Sequence, residues 1–202
     1  MTQASYPLPR EPHRPLLLSL EDYESLYVEN PRFVGKRFEL IRGEVLERRE
    51  HVLSATATMG DTHFGFINTL ARELNFKLFS LAMVGNQTPV RAPLAASRPE
   101  PDFTLQKLEG WTPKVPLAGD TLALIELSDT TLEFDRTVKL GDYAREGVPE
   151  YWIVNLRDLT PEVYTGPQGD TYAQKQTYIE GQAASFRAFP NVQIEWWTYP
   201  KS

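Results

Sequence analysis

The segment Thr121-Leu-Ala-Leu-Ile-Glu-Leu127 constrains this chain more than any other. It is a nearly continuous apolar run, which suits a strand covered on both faces in the middle of a mixed or parallel sheet. Its one charged residue is Glu126. A carboxylate on such a strand loses its hydration, at high cost unless it is paired or bound to a cation. Glu126 is therefore a candidate site residue on physical grounds alone.

The flanking pattern alternates helices and strands. Ser19 and Asp22 are placed to cap a helix that should stop near Asn30-Pro31. Residues 37–41 and 44–47 read as two strands joined at Arg42-Gly43. Phe64, Ile67, Ala71, Leu74 and Leu78 recur at spacings of three and four, one apolar face of a helix over Asp61 to Phe79. Residues 81–92, 101–106 and 150–155 read as strands. A helix is expected from Asp135 to Glu146, stopped by Gly147-Val148-Pro149. Residues 162–166, 171–180 and 185–197 read as further strands. The fold class is α+β with one domain over 16–202, preceded by an extended, proline-rich arm over 1–15. A length of 202 residues suits a single core.

Composition excludes several classes. The 10 Phe, 9 Tyr and 4 Trp rule out a disordered chain. No cysteine is present, which removes disulfides, thiolate zinc sites and Cys nucleophiles. No 18-residue apolar run and no apolar signal core appear, so no membrane span or secretory leader is expected and the default compartment is the cytoplasm. The net charge of −6 argues against a generally basic nucleic-acid coat. There is no glycine-rich phosphate loop.

Three acidic patterns stand out: Gly43-Glu44 after the first strand, Pro101-Asp102 opening another, and Ile125-Glu126-Leu127-Ser128 ending the apolar run, with Lys139 13 residues beyond Glu126. A hard divalent cation such as Mg2+ takes oxygen ligands, usually one or two carboxylates with waters and substrate phosphate. Asp102 and Glu126 could supply these if their strands are neighbours. A nearby lysine could orient the attacking water or stabilise charge developing on the phosphate.

These residues resemble a known family. Phe38-Glu-Leu-Ile-Arg-Gly-Glu44, Pro101-Asp102, Ile125-Glu-Leu-Ser128 and above all Phe134-Asp-Arg-Thr-Val-Lys-Leu-Gly-Asp-Tyr-Ala-Arg-Glu-Gly-Val-Pro-Glu-Tyr-Trp-Ile-Val154 look like the Uma-type putative restriction endonuclease family of the PD-(D/E)xK nuclease superfamily. The resemblance spans most of residues 16–198. It implies a mixed central sheet flanked by helices, with metal-binding carboxylates at one end. It implies Asp102 and Glu126 as ligands of Mg2+ or Mn2+, helped by the backbone carbonyl of Leu127, with Glu44 completing the outer shell or binding a second ion. Lys139 matches a lysine on the following helix, and His63 sits where relatives often carry a histidine. The superfamily's usual lysine, two residues after the second acid, is Ser128 here, and the following loop reads Ser128-Asp-Thr-Thr131.

Plainer readings compete. Lys139 and Asp135, at i and i+4, could be an exposed helix pair contributing about 0.2–0.5 kcal/mol. Arg136, Asp142, Arg145 and Glu146 read as a solvated helix face. His63 reads first as a helix-start residue, and Trp152, Trp196 and Trp197 as core or interface. Arg42, Arg48, Arg49, Arg91 and Arg98 are either scattered surface charge or a phosphate-binding rim.

The expected function is a metal-dependent endonuclease acting on DNA, with a homodimer as the expected assembly. The alternatives are a non-catalytic binding module on the nuclease fold, and a hydrolase of small phosphodiesters.

Overall fold

The computed structural model describes residues 16–33, 36–47 and 59–196, with backbone alone over 59–63. Its centre is a six-stranded mixed sheet in the order β3-β4-β5-β6-β7-β8. The strands are β3 (Ala82–Asn86), β4 (Phe103–Lys107), β5 (Ala123–Ser128), β6 (Glu150–Asn155), β7 (Thr160–Gln168) and β8 (Thr171–Thr177). Within this sheet β5 and β6 pair in parallel and the other neighbours are antiparallel. Their connection is the helical run over 132–145: α3 (Leu132–Phe134), a π-helical turn (Asp135–Lys139) and α4 (Leu140–Arg145). A hairpin of β1 (Phe38–Ile41) and β2 (Glu44–Glu47) and the two-residue strands β9 (Ala184–Ser185) and β10 (Gln193–Ile194) stand outside the main sheet.

The apolar run behaves as expected: every residue of β5 is buried. Strand alternation sends Ala123, Ile125 and Leu127 to one face, where Trp152 and Val154 of β6 join them. Helix α2 (Met59–Leu78) covers that face. Its buried ridge is Phe66, Leu70, Leu74 and Leu78, with Ile67 and Ala71 packed beside it. Phe64, expected on the buried face, is 70% exposed. Contact is made through the i+4 ridge, and Phe66 rather than Phe64 lies on it. Burying Leu74 alone contributes about 1.5–3 kcal/mol. On the other face, Leu124 and the tyrosines of β6 and β7, Tyr151 and Tyr164, meet Leu140, Tyr143 and Ala144 of α4.

The ends of these elements follow local chemistry. Ser19 Oγ accepts the Asp22 N–H at 3.0 Å and opens α1 (Leu20–Tyr23), which continues as a π turn over Glu24–Val28. Arg42 and Gly43 carry φ of +51° and +83°, so β1 and β2 turn through two residues in the left-handed region. At Gly147, φ is +76° and the Val148 N–H reaches Tyr143 O at 3.0 Å, closing the helix as its sequence anticipates. The helix begins earlier than expected, at Leu132.

Two expected strands are shorter. The run over 81–92 keeps only Ala82–Asn86, because Gln87 has φ +46° and Pro89 cannot donate to a ladder. Of the run over 185–197, Ser185 and Gln193–Ile194 keep short strands, residues 186–192 form the loop between them, and Phe186, Ile194 and Trp196 fill the core under α2. Trp196 is 2% exposed and Trp152 equally buried, so neither offers a dimer surface. Trp197, Arg48, Arg49 and the arm over 1–15 lie outside the described residues. No helix among the described residues is long and apolar enough to cross a membrane.

Candidate active site

The site is assembled by strand register. Phe103 of β4 opposes Ile125 of β5. One step further along the antiparallel pair, Asp102 comes opposite Glu126, and Asp102 Oδ2 accepts the Leu127 N–H at 2.8 Å. The strands of Asp102 and Glu126 are thus neighbours, and both carboxylates are buried.

Lys139 enters from the helix above. Its Nζ lies 2.8 Å from Glu126 Oε1, 3.6 Å from Glu39 Oε1 and 3.8 Å from Asp135 Oδ1. The Tyr143 hydroxyl donates to the same Glu126 oxygen at 3.1 Å. Asp135 is held by the hydroxyls of Ser128 at 2.8 Å and Thr131 at 2.7 Å. The helix adopts its π turn over Asp135–Lys139. Such turns are rare and recur at functional sites. Here both ends of the turn, Asp135 and Lys139, are buried against the sheet.

The structure brings Asp102, Glu126 and Lys139 together. It does not bring Glu44 to them: Glu44 is exposed on β2, opposite Ile41. The hairpin contributes Glu39 instead, which is 6% exposed and also accepts the Glu100 N–H at 2.6 Å. Glu39 carries the same signal that singled out Glu126, a charge inside an apolar strand, Phe38-Glu39-Leu40-Ile41. Asp135 was legible only as the i, i+4 neighbour of Lys139, and Tyr143 only as part of the Phe134–Val154 run. The exposed-pair reading of Lys139 and Asp135 is overturned, since both are buried. The solvated-face reading fails at Asp142, which is 2% exposed and accepts Arg42 Nε at 2.8 Å and Ser97 Oγ at 3.0 Å. The backbone of His63 lies in α2, and its side chain is outside the described residues. Of the candidate arginine rim, Arg42 is engaged by Asp142, while Arg91 and Arg98 both face Glu24.

Electrostatics at the cluster are lopsided. Burial, the largest influence, pushes the Glu126 carboxyl up to about 8; Lys139 opposes this, while Asp135, Asp102 and Glu39 add to it. For Lys139 burial acts downward, yet Glu126, Glu39 and Asp135 together raise it above the ordinary lysine range. The ammonium therefore keeps its proton. Among the described residues no three acidic or histidine side chains form a ready cation cage. A Mg2+-like ion needs only one or two carboxylates besides water and phosphate. The hard-oxygen donor set of Asp102 and Glu126 fits such an ion, which would share Glu126 with Lys139.

The comparisons agree with this architecture. A family profile, Uma2, described as "Putative restriction endonuclease", matches residues 20–196. A crystal structure from Anabaena variabilis, titled a putative nuclease belonging to DUF820, superposes with a TM-score of 0.66 at 11% identity, covering 90% of this chain and 98% of that one. At that identity the likeness speaks for the fold. None of the curated proteins matches. With a mixed sheet shared with that structure and a family match running from α1 to the last core tryptophan, the chain belongs to the Uma2 family, described as "Putative restriction endonuclease".

Proposed function

We propose that this protein is a metal-dependent endonuclease that hydrolyses DNA phosphodiester bonds. The observation that carries the reading is the buried Lys139 ammonium, 2.8 Å from Glu126 on the strand beside Asp102, in a chain of a nuclease family. Asp102 and Glu126, with the Leu127 carbonyl, would hold Mg2+ or Mn2+. Bound there, the ion supplies Lewis-acid charge that activates water and offsets the phosphate. Raised above the ordinary lysine range by Glu126, Glu39 and Asp135, Lys139 presents N–H groups that would orient the water or stabilise charge developing on phosphate oxygen. Tyr143 and Asp135 hold Glu126 and Lys139 in place. Glu39 takes the role in the hairpin that the sequence suggested for Glu44.

A second reading, a binding module without catalysis, draws on the missing three-carboxylate cage among the described residues and on Lys139 sitting on Glu126. Two measurements separate them. The endonuclease reading expects nicking of supercoiled DNA with Mg2+ or Mn2+, stopped by chelation and lost in Asp102→Asn. It fails if no divalent ion supports cleavage of varied DNA and Asp102→Ala leaves calorimetric metal affinity unchanged. DNA retention without cleavage or metal binding would favour the module. Dimer formation and the cellular compartment are separate proposals, checked by sedimentation and by fractionation.

A further inference from the structure

Beyond the carboxylate cluster, the same row of the sheet carries a second charged group. Glu126 of β5 opposes Ile153 of β6, and Ile153 opposes Glu162 of β7. Residues paired in this way share a sheet face. Glu162 therefore lies two strands from Glu126, beneath the same helical run. Its carboxylate is 4% exposed. It accepts Arg136 through Nε at 3.1 Å and Nη2 at 2.5 Å, and the Tyr164 hydroxyl at 2.6 Å. Lys175 Nζ of β8 lies 3.0 Å from it.

One buried carboxylate thus anchors two cations and leaves the group with a surplus of one positive charge. The carboxylate stays ionised: burial alone would raise it, but the bonds from Arg136, Tyr164 and Lys175 hold it down at about 2. Its cations reach water, with side chains 33% exposed at Arg136 and 44% at Lys175. Arg136 uses two of its five N–H donors on Glu162. Both heads are held before any ligand arrives, so little ordering entropy remains to be lost on binding.

The neighbouring site needs such a group. Glu39, Asp102, Glu126 and Asp135 are opposed there by the single ammonium of Lys139, so an approaching phosphodiester meets net negative charge. Arg136 stands one turn from Lys139 on the same helix. Two inter-strand spacings separate Glu126 from Glu162, about 9.5 Å. That equals the axial rise of roughly three nucleotides in one DNA strand.

We propose that Arg136 and Lys175, seated on Glu162, form a clamp for a DNA backbone phosphate within a few nucleotides of the one attacked. The clamp rests on the endonuclease reading and adds to it the track of the substrate strand. It reads charge and not sequence, because phosphate contacts position a duplex without naming its bases.

The test is duplex-DNA affinity of the full chain by fluorescence anisotropy across a sodium chloride series, with and without Mg2+. Wild type is compared with Lys175→Gln, Arg136→Gln and Lys175→Arg. Each lost cation should lower the slope of log K against log salt by about 0.9 and weaken binding about fivefold to tenfold near 0.1 M salt. Lys175→Arg should restore both. Calorimetric Mn2+ affinity should stay at the wild-type value, which separates the clamp from damage to the carboxylate site. If Arg136→Gln fails to fold, Lys175→Gln on the outer strand still decides. Slopes equal to wild type in a folded Lys175→Gln overturn the clamp and leave the endonuclease reading standing. A wild type with no salt-dependent DNA binding at all overturns both.

Discussion

Replacing Lys139 by methionine tests the centre of the site without opening a large cavity. The ammonium is 5% exposed and faces three carboxylates, the nearest 2.8 Å away. At an effective dielectric of about 20, that single pair attracts by roughly 6 kcal/mol before dehydration is subtracted. Removing one partner of a buried pair typically costs about 3–5 kcal/mol, because the remaining charge is left without compensation. For a chain of 202 residues this corresponds to a Tm lowered by roughly 6–20 °C. The loss should depend on pH in one direction. Glu126 is charged above about 8 and takes up a proton below it. Lysine is therefore needed most at alkaline pH, and the gap between variant and wild type should shrink as pH falls through about 8. Calorimetric unfolding at pH 9 and pH 6 measures both numbers. Equal Tm values at pH 9, or a gap that widens on acidification, would show that Lys139 is not the counter-ion of this cluster.

Other perturbations have defined outcomes. Glu162→Gln should lower stability at neutral pH: a carboxylate shifted from 4.5 to about 2 corresponds to roughly 3 kcal/mol, and screening of its half-exposed partners reduces this to about 1–2 kcal/mol. Because the folded value is depressed, that contribution is present above 4.5 and fades as pH falls toward 2; urea midpoints at pH 7 and pH 3 should converge between variant and wild type. Tyr143→Phe removes a donor to Glu126 and should cost about 1–2 kcal/mol in urea unfolding, with Mn2+ affinity altered in calorimetry. Gly119→Ala would drive a Cβ into the backbone oxygen of Glu146, so it should lower Tm by an amount equivalent to about 1–3 kcal/mol although its φ is ordinary.

Much of the fold was legible because it is encoded over short range. The β5 run, the Arg42-Gly43 turn and the Gly147 stop each depend on a few adjacent residues, and each appears where its chemistry puts it. Errors arose where burial is settled by distant partners. Phe64 fits the helical period as well as Phe66, but only Phe66 meets the sheet. The run over 185–197 is apolar enough for one strand, yet residues 186–192 turn as loop between β9 and β10, and Phe186 and Trp196 pack under α2. Asp142 looked like helix surface until the β1–β2 turn brought Arg42 onto it, 100 residues away in sequence.

The candidate site divides along the same line. By itself, the sequence determined that Glu126 sits on a strand buried on both faces and must have a partner, since a dehydrated carboxylate cannot persist there alone. Its family motif marked Asp102 and Lys139 as the residues to watch. Only the tertiary structure decided which acids meet: Glu39 and not Glu44, Asp135 as a buried tether and not a surface pair. The reason is geometric. Strand register, the β1–β2 turn and the π turn of the helix set those distances, and a shift of one residue in any of them would move a carboxylate to the opposite face.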